Sequence, residues 1–289
     1  MKPFLLDVLQ CDACGGELFF QDEDPQLVCT VCGKTIPMEN SIPLFSPPPT
    51  QMVPSEKMAR GPGLGTPWRQ ANWHFLQEQV NRLGEGALIL DVGAGRGDFA
   101  EALTRHRAIA LEVYPYPEVD VVCDLTWTNP FRPASFEAIL LLNVLEHVYD
   151  THALLDRLAG LLKPDGILLV AIPFMVKMHQ VPVDFVRYTH FALARFAEQH
   201  GLLVEHLEGY YDPVFFLGEG IGNLKNSILP GLSVSQKQRS RVLIKGLQFI
   251  ADQLQHTLGP GKVNDPAKAR SLAPTGYQVV YRKHPNNTK

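Results

Sequence analysis

From residue 87 onward, short apolar runs alternate with stretches of helical spacing. Ala87-Leu88-Ile89-Leu90-Asp91-Val92, Ile109-Ala110-Leu111-Glu112, Val119-Asp120-Val121-Val122-Cys123-Asp124, Ala138-Ile139-Leu140-Leu141-Leu142 and Ile167-Leu168-Leu169-Val170-Ala171-Ile172 read as strands. Phe99, Ala100 and Leu103 share helical spacing after the first run, and helices are predicted over about 150–162 and 190–200. Further strands are predicted at about 203–210 and at Pro274-Thr275-Gly276-Tyr277-Gln278-Val279-Val280-Tyr281. Continuous apolar strands alternating with helices imply an α/β fold, a largely parallel sheet covered on both faces. Ahead of it, Trp73, Leu76, Val80 and Leu83 recur at helical spacing from Trp68 to about Leu83.

Before residue 47 the pattern is different. Two Cys-x-x-Cys pairs separated by 14 residues form two knuckles of one pattern, Cys11-Asp12-Ala13-Cys14-Gly15 and Cys29-Thr30-Val31-Cys32-Gly33. Each offers two thiolates from one tight turn, so Cys11, Cys14, Cys29 and Cys32 can converge on one tetrahedral zinc ion. Two disulfides are the alternative, as is a redox pair, which would not need a duplicate. A set of four protein ligands leaves no open position, so this zinc would be structural. The expected layout is a zinc ribbon at 1–46, a Pro/Gly-rich linker and loop at 47–67 containing Pro47-Pro48-Pro49 and Gly61-Pro62-Gly63, and a second domain over 68–289.

Charge adds one feature. The chain of 289 residues has a net charge of −4, yet residues 221–289 contain Lys225, Lys237, Arg239, Arg241, Lys245, Lys262, Lys268, Arg270, Arg282, Lys283 and Lys289 against Asp252 and Asp265. Much of this basic stretch falls in an insertion at about 212–272, between the last two predicted strands, where a short connection is usual. Within it Leu243, Leu247, Ile250 and Leu254 form an apolar stripe flanked by Val242 and Phe249, with Lys237, Arg241 and Lys245 on another face. Such a stripe more often packs onto its own domain; the alternative is a helix lying on an anionic membrane surface. The start, Met1-Lys2-Pro3-Phe4-Leu5-Leu6-Asp7, does not read as a signal peptide, and a cytoplasmic location is expected.

The candidate chemistry begins at Asp91-Val92-Gly93-Ala94-Gly95-Arg96-Gly97. A dinucleotide turn needs Gly-x-Gly-x-x-Gly, and Asp98 stands where its third glycine belongs. Glu112, 21 residues after Asp91, ends the next strand where an acid can accept from both ribose hydroxyls. A pocket holding Asp91, Glu112 and Asp124 suits a cation better than a pyrophosphate.

With these motifs the chain resembles the class I, seven-stranded, Rossmann-like S-adenosylmethionine-dependent methyltransferases, particularly their small-molecule branch. Asn143-Val144-Leu145-Glu146-His147-Val148 and Leu162-Lys163-Pro164-Asp165-Gly166 match that family as well. The resemblance implies that Asp91, Gly93, Gly95 and Gly97 frame the methionine and ribose of the cofactor and that Glu112 holds the ribose. It also implies that Asp124 and Leu125 meet the adenine and that Asn143 lies beside the methionine part. Residues 1–46, with the lead-in Leu5-Leu6-Asp7-Val8-Leu9 and the closing Ile42-Pro43-Leu44-Phe45, resemble the zinc-ribbon family whose stand-alone members activate tRNA, rRNA and protein methyltransferases.

Methyl transfer from a sulfonium is an in-line displacement on an activated electrophile, so positioning and water exclusion are the main tasks. A base is needed only where the acceptor must lose a proton. The segment Pro173 to His190 resembles a His-x-x-x-x-Asp-Phe-x-Arg-Tyr-Thr stretch of the same branch and offers His179 as first candidate base, with His147 and Tyr188 behind it. Structural roles compete: Asp184 can pair with Arg187, Thr189 can cap the next helix, and His147 can bond backbone. The leading expectation is methylation of a small-molecule or glycan- or lipid-linked acceptor. An rRNA or tRNA acceptor is the alternative, although the ribbon carries Glu23 and Asp24 and few basic residues that would track phosphates. A non-catalytic cofactor-binding scaffold is the reading of another class.

Overall fold

The structure, a computed structural model, describes residues 1–22, 25–50, 63–211, 214–258 and 274–285. Glu23 and Asp24, most of the expected linker, and residues 259–272 of the expected insertion lie outside the described residues. The described chain forms two compact units. The first comprises Met1–Ile172, Met178–Leu207 and Gln278–Lys289; the second comprises Pro173–Lys177 and Glu208–Tyr277.

The ribbon opens with one helical turn, α1 (Leu5–Val8), and a small antiparallel sheet in the order β1 (Leu18–Gln21), β2 (Gln26–Cys29), β3 (Thr35–Glu39), β4 (Ile42–Pro43). Helix α2 (Pro67–Val80) follows; Pro67 fills a first-turn position and the Thr66 hydroxyl accepts the Arg69 N–H. Its inner face, Trp73, Leu76 and Val80, packs with Ile89, Leu140, Leu169 and Val280 of the main sheet in one core.

That sheet has seven strands: β5 (Leu88–Val92), β6 (Arg107–Glu112), β7 (Val121–Val122), β8 (Phe136–Leu142), β9 (Leu162–Pro173), β10 (Leu202–Tyr210) and β11 (Gly276–Lys283). Their spatial order is β10-β11-β9-β8-β5-β6-β7. β5 pairs parallel with β6 and β8, β6 with β7, and β8 with β9. The order reverses at β5, so the crevice at its carboxyl end is where a ligand of such a sheet belongs. Helices α3 (Thr151–Leu161) and α4 (His190–Gln199) start on the Asp150 and Thr189 side chains, which accept from Ala153 and Ala192 N–H.

Several boundaries differ from the sequence expectation. The helix predicted after the glycine turn is a single 3-10 turn, Ala100–Leu103, because Gly97 at φ 74° keeps the chain in turn geometry beyond it. β9 begins at Leu162 rather than at residue 167; a register shift opposite Phe136 and Ala138 takes Lys163-Pro164-Asp165-Gly166 into the strand as an irregular bend, with Asp165 at φ 62°.

In the second unit, α5 (Phe215–Asn223) and α6 (Val234–Leu258) meet around Val214, Ile221 and Ala251. On α6, Leu243 is 69% and Ile250 51% exposed, and Ala251 is the buried position of the helix among the described side chains. No helix among the described residues is long and apolar enough to cross a membrane.

Candidate active site

Gly93, Gly95 and Gly97 all have positive φ, at 69°, 54° and 74°. At Gly93 the need for glycine is also steric, since a Cβ would stand 2.4 Å from Val144 Cγ2. The Gly93 and Ala94 N–H groups donate to the Leu111 carbonyl at 2.9 and 3.0 Å, folding the turn back onto the end of β6. There Glu112 accepts from the Gly95 N–H at 2.9 Å and the Val113 N–H at 2.7 Å. Asp91 is buried beside it. Burial, then the charges of Glu112 and Asp98, push its carboxyl up to about 7, while Lys2 opposes the shift. Burial also raises Glu112 against the pull of its backbone donors. A buried and a half-buried carboxylate side by side favour a cationic ligand over a phosphate.

Asn143 ends β8 in the left-handed region at φ 57°, which asparagine tolerates. Its Oδ1 accepts the Trp68 indole N–H at 2.8 Å, so α2 fixes how the amide points. Asp98, the residue in place of the third dinucleotide glycine, pairs with Arg69 at 2.6 Å, and Arg69 also lies over the Phe99 ring. Asp124 accepts from the Thr126 N–H and hydroxyl at 2.8 and 2.7 Å, and its own N–H donates to Ser46 Oγ at 2.9 Å. Leu125 is buried, and the Arg157 guanidinium donates to its carbonyl.

The candidate acceptor side lies beyond Asn143. Glu146 is fully buried, and neither carboxylate oxygen receives a hydrogen bond among the described residues. His147 and His179 place their Nε2 atoms 3.7 and 3.6 Å from Glu146 Oε1, their rings meeting edge to face. His147 Nδ1 is 2.7 Å from the Val183 carbonyl, while His179 Nδ1 is 3.3 Å from Asp184 Oδ2. The Arg187 guanidinium, donating to both oxygens of Asp184, holds that carboxyl down at about 2. Tyr188 stands apart from this group: its hydroxyl meets Thr151 Oγ1 at 2.9 Å.

In the ribbon, Cys11 and Cys32 Sγ are 3.7 Å apart, Cys14 and Cys29 3.5 Å, and all four sulfurs lie within 4.8 Å of one another. A disulfide would need about 2.05 Å, whereas sulfurs at about 2.3 Å from a tetrahedral zinc stand roughly 3.8 Å apart. Gly15 and Gly33, both at φ 71°, return their N–H groups to the Cys11 and Cys29 carbonyls, closing each knuckle. The four cysteines fit a structural zinc ion.

The ribbon lies along the β7 edge of the sheet. Leu9 bridges Phe131, Leu44 bridges Val122, and the Phe45 N–H donates to the Val122 carbonyl at 2.9 Å. Lys2 pairs with Asp120 at 2.6 Å, and Ile42 packs on Val119 and Val122. The apolar lead-in and the Ile42-Pro43-Leu44-Phe45 segment thus cover an edge strand. They end at Ser46, on the backbone of Asp124.

A family model described as a methyltransferase domain matches residues 68–207. Residues 68–207 are a methyltransferase domain. The model of Trm112p-like proteins matches residues 2–37. A ubiquinone biosynthesis O-methyltransferase of Xylella fastidiosa is 36% identical over 102 residues, 30% of this chain and 42% of the relative. The enzyme of the same name from Xanthomonas campestris is 31% identical over 116 residues, 35% of this chain and 46% of the relative. The chain therefore matches less than half the length of these curated relatives. A phosphoethanolamine N-methyltransferase of Haemonchus contortus is similar in structure over 75% of this chain and 53% of its own, with a TM-score of 0.47 and 14% identity.

Within the methyltransferase domain, the structure brings Asp91, the three glycines and Glu112 to one strand end, and brings His147 to His179. Sequence reasoning missed Trp68, Arg69 and Ser46, which steer Asn143, Asp98 and Asp124 from elements distant in the chain. It quoted Glu146 within a motif without assigning it a role. A signal was available, since a glutamate inside Val144-Leu145-Glu146-His147-Val148 stands between residues that are mostly apolar.

Proposed function

We propose that this chain transfers the methyl group of S-adenosylmethionine to a small-molecule acceptor. The observation that carries the reading is the pair of carboxylates at the ends of β5 and β6, buried Asp91 and half-buried Glu112, the second held by the Gly95 N–H of the glycine turn. When bound, the cofactor supplies an activated methyl group. The chain's part is to hold it: Asp91, Gly93, Gly95 and Gly97 frame the methionine and ribose, Glu112 accepts from the ribose hydroxyls, Asp124 and Leu125 face the adenine, and Asn143 lies beside the methionine part. The acceptor enters on the side of Glu146, His147 and His179. Hydroxylated aromatic compounds are the first class to try, because the curated relatives are named for O-methylation in ubiquinone biosynthesis.

A second reading concerns the proton of such a hydroxyl. His179, oriented by Asp184 at 3.3 Å, has the arrangement of a general base, with His147 as its neighbour and Tyr188 third. A His179→Gln variant that kept wild-type turnover at neutral pH would exclude it.

We also infer that α6 touches an anionic surface. Exposed Val242, Leu243, Phe249 and Ile250 share the helix with Lys237, Arg239, Arg241 and Lys245. Anionic vesicles should sediment the chain at low salt and release it at high salt; no sedimentation at low salt would end this reading. A cytoplasmic location goes with the proposal, since a reducing compartment keeps the four ribbon thiols available to zinc.

The deciding experiment is calorimetry with S-adenosylmethionine and S-adenosylhomocysteine, followed by turnover on small hydroxylated aromatics and on cell extract with and without ribonuclease. Micromolar binding with ribonuclease-resistant turnover supports the proposal. Ribonuclease-sensitive labelling would move the acceptor to RNA. Binding without any turnover would leave a cofactor-binding scaffold.

A further inference from the structure

We infer that Glu146, His147 and His179 form a second metal site, distinct from the ribbon, that takes a divalent transition-metal ion beside the cofactor crevice. Glu146 is fully buried with no hydrogen bond to either carboxylate oxygen among the described residues, an arrangement that costs several kcal/mol unless a cation offsets it. Arg187 feels the Glu146 charge without pairing with it within 4 Å among the described residues, and two imidazole Nε2 atoms stand 3.6 and 3.7 Å from Oε1.

Both imidazoles turn Nε2 toward the carboxylate. The Val183 carbonyl, 2.7 Å from His147 Nδ1, can only accept, so Nδ1 carries a proton and the neutral ring offers its lone pair on Nε2. Asp184 Oδ2 sits 3.3 Å from His179 Nδ1, the ring nitrogen turned away from Glu146. Each imidazole is thus oriented by an acceptor on its outer nitrogen, as histidine ligands of metals generally are. Glu146, His147 and His179 each offer one ligand atom, and the three lie within 4.8 Å of one another.

The spacing suits a metal. Donors about 2.0–2.2 Å from a tetrahedral ion stand roughly 3.4 Å apart, and the two nitrogen–oxygen separations are 3.6 and 3.7 Å. Two imidazoles and one carboxylate leave coordination positions open. His179 is partly exposed, on the side where the proposed acceptor would enter, so an acceptor hydroxyl could occupy an open position. Such a bond would make the hydroxyl more acidic and release its proton to solvent, and would orient the oxygen toward the methyl group. In that case His179 is a ligand rather than a free base. This role rests on the methyl-transfer proposal; the binding of the ion does not.

The test counts metal on the full chain. After zinc is restored to the ribbon, Co2+ is titrated while visible absorption and calorimetry are recorded. Ribbon thiolates bound to Co2+ give intense charge-transfer bands, and a nitrogen/oxygen site gives weak ligand-field bands only, so the two sites are distinguishable. Wild type should take up one further equivalent without thiolate bands. Glu146→Gln and His179→Gln should each lose it at least 10-fold in affinity while S-adenosylhomocysteine binding stays within about 2-fold. His179→Gln changes a partly exposed loop residue and keeps the test available if Glu146→Gln fails to fold. No second equivalent in wild type, or a second equivalent that survives both substitutions, would overturn the inference. Loss of S-adenosylhomocysteine binding in wild type would overturn the proposed function and leave the metal count standing.

Discussion

Replacing Gly93 by alanine tests whether the glycine turn is built against Val144 or merely adjacent to it. Two costs are separable. The first is conformational: at φ 69° an L-residue pays about 1–2 kcal/mol relative to glycine. The second is steric, because the new methyl would lie 2.4 Å from Val144 Cγ2 and 3.4 Å from its Cβ. Valine is stiff about χ1 and cannot swing its methyl away without placing another group nearby, so overpacking adds about 1–3 kcal/mol. Gly95→Ala is the internal control. Its φ of 54° carries the first cost, but its Cβ would meet nothing within 4 Å, and its N–H still donates to Glu112. Urea unfolding should therefore show Gly93→Ala less stable than Gly95→Ala by about 1–3 kcal/mol, with weaker S-adenosylhomocysteine binding. Val144→Ala introduced into the Gly93→Ala chain should recover at least 1 kcal/mol of that difference in a double-mutant cycle. Equal losses in the two alanine variants, or no rescue by Val144→Ala, would refute the steric argument.

Other expectations are briefer. Asp91 has its carboxyl raised to about 7 from an ordinary value of 3.8, so between those values the folded state holds the proton more tightly than the unfolded one. Stability of the ligand-free chain should be fullest below the lower value and fall as pH rises through 7; Asp91→Asn should flatten this slope in thermal melts across pH. Trp68→Phe removes the donor to Asn143 Oδ1 and should weaken S-adenosylhomocysteine binding by roughly 3- to 10-fold, the worth of one ordinary hydrogen bond, as read by calorimetry. Ser46→Ala leaves the Asp124 N–H without its acceptor and should lower the same affinity several-fold with intact zinc content; an unchanged affinity would detach the ribbon from the adenine side. Stripping zinc with a strong chelator should act more broadly, lowering the unfolding midpoint as well as the affinity, because β7 then loses the covering segment that holds Val122.

Local signals sufficed wherever the relevant interaction lies within a few residues. The knuckle spacing of Cys11, Cys14, Cys29 and Cys32 defined a four-sulfur site, and alternation of apolar runs with helical spacing defined an α/β sheet. The glycines at 93, 95 and 97 and the acids at 91 and 112 lie at adjacent strand ends, so strand order alone brings them together. Boundaries were less legible. The short β7 and the bend at Lys163-Pro164-Asp165-Gly166 depend on which backbone partners each strand finds, and hydropathy does not encode that.

Much of what orients the site came from contacts distant in sequence. Trp68 reaches Asn143 across 75 residues, Ser46 reaches Asp124 across 78, and the Val183 carbonyl reaches His147 across 36. The ribbon read as a separate module because its cysteines are self-contained, yet its apolar flanks are the cover of a sheet edge. The sequence by itself determined which groups are available: four thiolates, a glycine turn, two acids, and a glutamate with two histidines. Tertiary structure decided which of them face each other. Burial and hydrogen-bond direction are properties of the surrounding shell, and only folding assembles that shell around Glu146.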